Sequence, residues 1–540
     1  MLLVVNESKR MIINRLTERV REGMSVRGMK GDAVKAAREI ERKYEAIEDL
    51  ELLDPASLLG LDTASGPDEQ DLAAVYFDTS DLRLLGAGVT LRRREGGSDA
   101  GWHLKLPVGT DSREELRLPL GRSPGHPPAE LVALTRVYTR GSALAPVAEL
   151  TTRRRRWTLV DSTGRSLAEL VDDHVSARTM GHQTTTVTWR EVEVELGDHG
   201  QQKLLDRIER RLLKVGAQRA GSASKLGRLL AKRLSDRGAP VRSGSARSSG
   251  EVVLAYLDAQ ARELRRYDPL VRRDTPDAVH QMRVAARRMR SALQAFGRVV
   301  DREATRELIA ELKWVAGELS GARDAEVMAD RVAKLLAQVP DELKLGPIDA
   351  AVTRAFERRG ADTRAVGLTA LDSDRYLVLH DRIDALLADP PLTARASRKA
   401  KRELPKSIRR AYRRVESRMT EAHRQPAGND RDRALHETRK AAKRLRYAIE
   451  AVEPTLGKSA ARLRKRLKSV QNLLGEHQDA AVLRPVLREL AGQAHLEGAN
   501  GFTYGLLYAA ETARAERAEH ALPATWKRMR KRKNTAWLTK

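Results

Sequence analysis

The strongest constraint on this chain is a change of periodicity at one place. Before the stretch from Ser235 to Gly250, rich in Gly, Ser and Pro, apolar residues alternate with polar ones. After it they recur every three or four residues. Thr184-Thr185-Thr186-Val187-Thr188-Trp189-Arg190-Glu191-Val192-Glu193-Val194-Glu195-Leu196 is the clearest alternating run. Ala74–Asp78, Val89–Arg94, Trp102–Leu106, Glu115–Leu120, Arg154–Val160 and Leu167–Val171 are further strand candidates. About eight short strands with Gly-rich turns between them predict an antiparallel barrel or sandwich. Residues 251–520 instead predict amphipathic helices interrupted at Pro276, Pro340, Pro390-Pro391 and Pro454. The expected class is therefore α+β and multidomain. Its divisions are an N-terminal extension (1–35), a β-barrel domain (36–233), a linker (234–250), an all-α domain (251–530) and a basic tail (531–540).

Charge divides at the same place. The chain carries +26 overall, with −4 in residues 1–200 and +30 in residues 201–540. A polyanion is the expected partner of the second part. The absence of cysteine excludes disulfides, thiolate metal sites and cysteine nucleophiles. No run approaches the roughly 18 apolar residues of a membrane span. A cytoplasmic protein without a membrane partner is expected, with polyphosphate granules a further place for it.

The helical part repeats itself. His280-x-x-Arg283-x-x-x-Arg287-x-x-Arg290 returns as His436-x-x-Arg439-x-x-x-Lys443-x-x-Arg446, 156 residues later. The Leu312-Lys313 block, running to Asp324, returns 155 residues on as Leu467-Lys468, running to Asp479. On a helix, His280, Arg283, Arg287 and Arg290 share one face, and Met282, Ala285, Ala286, Met289 and Leu293 the other. The second copy sets Thr438, Ala441, Ala442, Leu445 and Ile449 against its basic residues. Solvated helix faces usually mix signs, because like charges at i,i+4 repel. Duplicated faces of a single sign point to a bound anion. With few aromatics and no reading module, a plain phosphate chain fits better than nucleic acid. These two blocks resemble the CHAD domain over about residues 250–530. The resemblance implies two pseudo-symmetric four-helix bundles binding inorganic polyphosphate, with His280, Arg283, Arg287, Arg290, Lys313, His436, Arg439, Lys443, Arg446 and Lys468 as the contacting set. Ser469 in place of Trp314 and Gln478 in place of Arg323 depart from strict symmetry.

In the β part, charges recur at period two. Glu39, Glu41 and Lys43 share a face if they form a strand, although Glu39 and Lys43 are also a helical i,i+4 pair. Arg92 and Arg94 share a face, as do Arg113 and Glu115, Arg154 and Arg156, and Glu191, Glu193 and Glu195. Lys105 stands alone between apolar neighbours. Either these side chains point to solvent or the barrel has a charged lumen. Cations there would neutralise phosphate oxygens, and carboxylates would hold a hard divalent cation. Gly457-Lys458-Ser459 lacks the upstream glycine of a P-loop.

Glu39-x-Glu41-x-Lys43, with Tyr76-Phe77-Asp78-Thr79, Leu91-Arg92-Arg93-Arg94, Leu104-Lys105-Leu106-Pro107, Glu191-Val192-Glu193 and Ser224-Lys225-Leu226, resembles the CYTH family, the triphosphate tunnel metalloenzymes. The resemblance spans about residues 36–233. It implies an eight-stranded tunnel and hydrolysis of inorganic triphosphate or a related triphosphate with Mg²⁺ or Mn²⁺. It makes Glu39, Glu41 and Lys43 catalytic. Arg92, Arg94, Lys105, Arg113, Glu115, Arg154 and Lys225 would contact substrate. Glu39, Glu41, Glu191 and Glu193 would hold metal, assisted by Asp172 or Asp173. Two other functions compete: a polyphosphate-binding scaffold without turnover, and a nucleic-acid binder.

Overall fold

The computed structural model describes residues 35–46, 63–109, 111–121, 125–181, 184–235 and 248–538. The N-terminal extension and most of the linker read from the sequence lie outside these residues. The chain divides into two compact units. The first runs to Leu131 and resumes over Ala143–Leu234; the second comprises Val132–Ser142 and everything from Ser235 onward.

The first unit is built on β1 (Lys35–Glu45), β2 (Thr63–Asp78), β3 (Thr90–Glu95), β4 (Gly101–Gly109), β5 (Ser112–Leu118), β6 (Ala145–Val160), β7 (Ser166–Thr179) and β8 (Thr186–Leu196). Hydrogen bonding follows the order β5-β4-β3-β2-β6-β7-β8-β1, and β1 also pairs with β5. All these pairings are antiparallel, so eight strands close into a barrel. A two-residue strand, Gln218–Arg219, adds to β1 at Tyr44 and Glu45. Glu39-x-Glu-x-Lys is thus a strand, which removes the helical alternative for residues 39–45. The strands exceed the segments legible in the sequence. β2 begins at Thr63 and β6 at Ala145, because the early residues of each strand pair with the later residues of the other.

Alternation sorts this barrel unusually. Trp157, Leu159, Ala168, Leu170, Val192 and Val194 face outward and pack with Leu204, Leu205, Ile208 and Leu212 of the helix Gln202–Lys214. The faces bearing the charges turn inward instead. Further along those inner faces, Leu150, Val175 and Ala177 meet Leu82, Leu85, Leu226 and Leu230 in an apolar plug. Burial of these two sets, at roughly 25 cal/mol per Å² of apolar area, holds a barrel whose lumen supplies almost no hydrophobic contact.

In the second unit, both repeated blocks are helical: Ala278–Ala295 carries the first basic stripe and Asn429–Leu456 the second. Met282, Ala285, Ala286, Met289 and Leu293 are buried, as are Thr438, Ala441, Ala442, Leu445 and Ile449. The copies differ in the following helix. After the first stripe it is divided into Arg306–Glu318 and Ser320–Leu336, whereas after the second it runs unbroken over Lys458–Leu496. The bundles also share a core: Val332, Leu336, Val352 and Phe356 pack with Leu483, Leu487, Tyr504 and Leu507. Pro276, Pro340 and Pro390-Pro391 fall between helices, as expected. Pro454 does not; it lies in the last turn of its helix, which ends at Gly457 with φ +66°. The first helix of this unit starts at Ser249, where Ser248 and Glu251 form a capping box. In the basic end, Arg532–Thr535 and Ala536–Leu538 are helical, with Asn534 and Leu538 buried. Among the described residues, no helix is long and apolar enough to cross a membrane.

Candidate functional site: a charged lumen and a basic helical face

The register sets opposite charges across from one another: Glu39 with Arg113, Lys43 with Glu193, Lys105 with Glu115, and Arg154 with Asp173. They surround a lumen of about 360 Å³ lined by nine Lys or Arg and eight Asp or Glu side chains. Glu39, Glu41, Lys43, Arg92, Arg94, Lys105, Arg113, Glu115, Arg154, Glu193 and Lys225 are all among the lining residues.

The most buried part centres on Lys225, projected by a short helix whose Ser224 side chain accepts from the Gly227 N–H. Its ammonium lies 2.9 Å from Asp173 and 2.6 Å from both Glu191 and Glu193. Arg154 grips Asp173 with two bonds of 2.8 and 2.7 Å, and Lys43 bonds Glu193. Burial would raise the Glu193 carboxyl, but Lys225, Lys43 and Arg154 outweigh it and hold the group well below its ordinary range. For Glu191, burial wins and the pKa rises despite Lys225.

On the opposite wall, Lys105 is 2.6 Å from Glu39 and 3.5 Å from Glu115. Glu41 is held by Lys43 at 3.1 Å and Arg113 at 3.6 Å. Burial raises the Glu39 carboxyl, opposed by Lys105. For Glu41, Lys43, Lys105 and Arg113 overcome burial and lower it. Burial together with Arg92 and Arg154 presses the Arg94 guanidinium down to about 9.

Asp173, Glu191 and Glu193 present one oxygen each within 4.8 Å of one another. Three buried carboxylates of this kind suit a hard divalent cation such as Mg²⁺ or Mn²⁺. The adjacent acids thus separate: Asp173 joins the cluster, whereas Asp172 lies on the opposite face of β7. Two Arg190 bonds, of 2.8 and 2.9 Å, hold Asp172 there. Asp172 is therefore not brought to the lumen. Glu39 and Glu41 are in the lumen but outside that carboxylate cluster, occupied by Lys105, Lys43 and Arg113.

Several lumen residues escaped the sequence reading of the site. Arg117 bonds Glu115 and lies 3.6 Å from Glu39. Tyr76 accepts from Arg92 at 3.3 Å. His103 contacts Glu115 through Nδ1 at 2.9 Å and the Asp99 carbonyl through Nε2 at 2.8 Å. Burial pushes its imidazole down to about 4. Glu195 also lines the lumen, its carboxyl raised to about 8 by burial and then by Glu39. Arg117 and Glu195 each extend a charged alternation by two residues, a signal present in the sequence. Tyr76 lies in the Tyr76-Phe77-Asp78-Thr79 motif, and for His103 only strand register supplies a signal.

In the helical unit the two stripes converge. Burial lowers the Arg287 guanidinium, and Arg283, Arg439 and Arg290 lower it further. Lys443 is pressed down to about 7 by burial, then by Arg439 and Arg287. The copies repeat one anchoring contact: Arg283 to Asp324 at 3.2 Å and Arg439 to Asp479 at 3.6 Å. Burial also lowers the Arg290 guanidinium. Arg446 stacks over Tyr447 at 4.7 Å. His436 bonds Gln478 at 2.5 Å, and His280 is half-buried in its stripe. Lys313 and Lys468 are exposed on the helices that follow.

Comparison with known proteins finds a match to the CYTH domain model over residues 37–228 and to the CHAD domain model over residues 255–488. Two curated proteins of Mycobacterium tuberculosis, from strains CDC 1551 and H37Rv and both described as uncharacterized, are 36% identical over 518 residues. Each alignment covers 91% of this chain and 96% of the relative. Among solved structures, PptA from Streptomyces chartreusis is 23% identical with a TM-score of 0.45, covering 52% of this chain and 99% of that one. The CHAD domain from the plant Ricinus communis is 27% identical with a TM-score of 0.43, covering 53% and 96%.

Proposed function

The chain belongs to one family with those mycobacterial proteins, a CYTH domain followed by a CHAD domain, and we propose that it is a divalent-metal-dependent triphosphatase whose helical unit binds inorganic polyphosphate. One observation carries the enzymatic reading: Glu193 lines the same lumen as the cations Arg92, Lys105, Arg113, Arg154 and Lys225, with Asp173 and Glu191 clustered directly behind it. A metal–triphosphate complex needs both sets, one for the metal and one for the phosphate oxygens.

Each of those cations is paired with a carboxylate. An entering triphosphate, bearing about four charges, exchanges carboxylate partners for phosphate oxygens, so binding costs the cations little new desolvation. When bound, a divalent cation at Asp173, Glu191 and Glu193 supplies charge neutralisation and lowers the pKa of a water. Lys105 and Arg92, tied to Glu115, and Arg154, tied to Asp173, fix the phosphate chain for in-line attack. Water adds to the terminal phosphorus, and the bond to the bridging oxygen breaks to give orthophosphate and pyrophosphate. Among the described residues Tyr76 is the sole Phe, Tyr or Trp lining the lumen, and its hydroxyl is engaged by Arg92, which favours an inorganic triphosphate over a nucleotide.

The polyphosphate reading rests on the convergent stripes, where Arg287 and Lys443 are crowded by like charges that a polyanion relieves. The test is phosphate release from triphosphate with Mg²⁺ or Mn²⁺, expected in the wild type and lost in Glu191→Gln/Glu193→Gln. No release with either metal refutes the triphosphatase. Independently, Arg287→Ala/Lys443→Ala should weaken polyphosphate binding at least tenfold; unchanged binding refutes that role.

A further inference from the structure

One convergence of ligand-type side chains serves neither the lumen nor the basic face. Asp432 lies on the helix Asn429–Leu456, His477 on Lys458–Leu496, and Glu519 on Phe502–Met529. One donor atom from each falls within 4.8 Å of the others. His477 Nε2 is 3.2 Å from Asp432 Oδ1 and 2.9 Å from Glu519 Oε1. Metal–ligand bonds of about 2.0–2.2 Å place neighbouring donors roughly 2.9–3.5 Å apart in octahedral or tetrahedral geometry. The two imidazole–carboxylate separations match that spacing, as they also match hydrogen bonds.

The surroundings aim the donors. Arg484 takes the other oxygen of Asp432 at 2.9 Å, and Arg431 the other oxygen of Glu519 at 3.4 Å. Each carboxylate thereby keeps one oxygen turned toward the imidazole, the outer-shell arrangement that orients metal ligands. Arg431 is itself fixed by the Gln425 carbonyl, at 2.9 and 2.7 Å. The ring is 3% exposed, while the Asp432 and Glu519 side chains retain 24% and 27%, leaving the carboxylates reachable from solvent. The repeat does not explain this grouping. At the offsets relating the copies, Pro276 stands for Asp432 and Ala322 for His477. The cluster is particular to the second half.

We propose that Asp432, His477 and Glu519 form a second divalent-cation site, of the mixed nitrogen–oxygen type that takes Zn²⁺, clamping three helices of the second bundle. The competing account is an imidazole shared between two carboxylates already neutralised by Arg431 and Arg484, with no ion.

Cobalt(II) titration of the full-length chain separates the two, because non-water ligands change the visible spectrum of Co²⁺. Glu191→Gln/Glu193→Gln removes two of the three carboxylates of the lumen cluster. In that background, one equivalent of Co²⁺ should bind with an altered visible band and be displaced by Zn²⁺. Adding His477→Gln should weaken this binding at least tenfold, as should Glu519→Gln. Helical circular dichroism checks that each variant folds; if His477→Gln does not, Glu519→Gln decides. If the lumen changes prevent folding, the wild type should take one equivalent more than its Glu519→Gln variant. Failure of the lumen-substituted chain to bind Co²⁺, or unchanged binding in the folded variants, overturns the site. Triphosphatase activity does not enter the measurement, so its failure is distinguishable.

Discussion

Replacing Lys225 with Met tests the architecture of the lumen most directly. The substitution keeps the unbranched stem, one atom shorter, and removes a charge that lies within 3 Å of Asp173, Glu191 and Glu193. At their spacing of up to 4.8 Å, each pair of those carboxylates repels by roughly 3 kcal/mol at an effective dielectric constant near 20. Arg154 and Lys43 remain to offset part of that, and protonation of one carboxyl relieves more. Removing one partner of a buried pair typically costs about 3–5 kcal/mol. For a barrel unit of this size that lowers the melting temperature by roughly 10 °C. A divalent cation restores the missing charge, and at a hundredfold excess over its Kd it returns about 2.7 kcal/mol. Differential scanning calorimetry in EDTA and in Mn²⁺ should show a large loss in EDTA that Mn²⁺ substantially repairs. Acid has a defined sign as well. With Lys225 gone the carboxyl pKa values rise relative to those of the wild type, so the folded variant binds more protons than the folded wild type and its deficit in stability shrinks as pH falls. A variant that melts like the wild type in EDTA, or ignores Mn²⁺, would refute the idea that Lys225 balances a metal-binding carboxylate cluster.

The neighbouring acids should behave oppositely. Asp173→Asn should weaken Mn²⁺ binding at least tenfold by calorimetry, whereas Asp172→Asn should leave it within twofold and cost about 2 kcal/mol of stability through the lost Arg190 pair; equal metal effects would contradict the assignment of faces. Polyphosphate binding should take up a proton above pH 7, because Lys443 is held at about 7 and a polyanion favours its charged form. Affinity should therefore fall between pH 7 and 9 in the wild type but not in Lys443→Met, with calorimetry in buffers of different ionisation enthalpy counting the proton; matching profiles would rule Lys443 out as its source. Arg140, buried against Asp381 at 3.1 Å and Asp384 at 2.8 Å, anchors the segment Val132–Ser142 within the helical unit. Arg140→Ala should cost about 1–3 kcal/mol in urea unfolding of that unit, and a change below 0.5 kcal/mol would show the pairs to be ornamental.

What the sequence disclosed and what it withheld follow one physical division. The helical stripes were legible because an apolar face and a basic face alternate within a single helix, so Met282, Ala285 and Met289 could be placed in the core from their spacing alone. The charged strands were legible as strands, yet their direction was not, since period two is satisfied equally by charges inside or outside. That choice was made elsewhere, by Leu204, Leu205, Ile208 and Leu212, whose helix must cover an apolar sheet face and so turns the charged face inward. The same holds residue by residue. Asp172 and Asp173 are chemically identical neighbours, separated only because β6 sets Arg154 against Asp173 and β8 sets Arg190 against His174, within reach of Asp172. Glu39 and Glu41 matched the family signature, but its spacing carries no information about Lys105 and Arg113, which hold them from strands dozens of residues away. Asp432, His477 and Glu519 are the extreme case: each lies on a different helix, and no window of sequence contains two of them. Local pattern fixes which faces an element has, while sites for multivalent ions arise where faces of distant elements meet, so the ligands of such sites are the residues a pattern is least able to name.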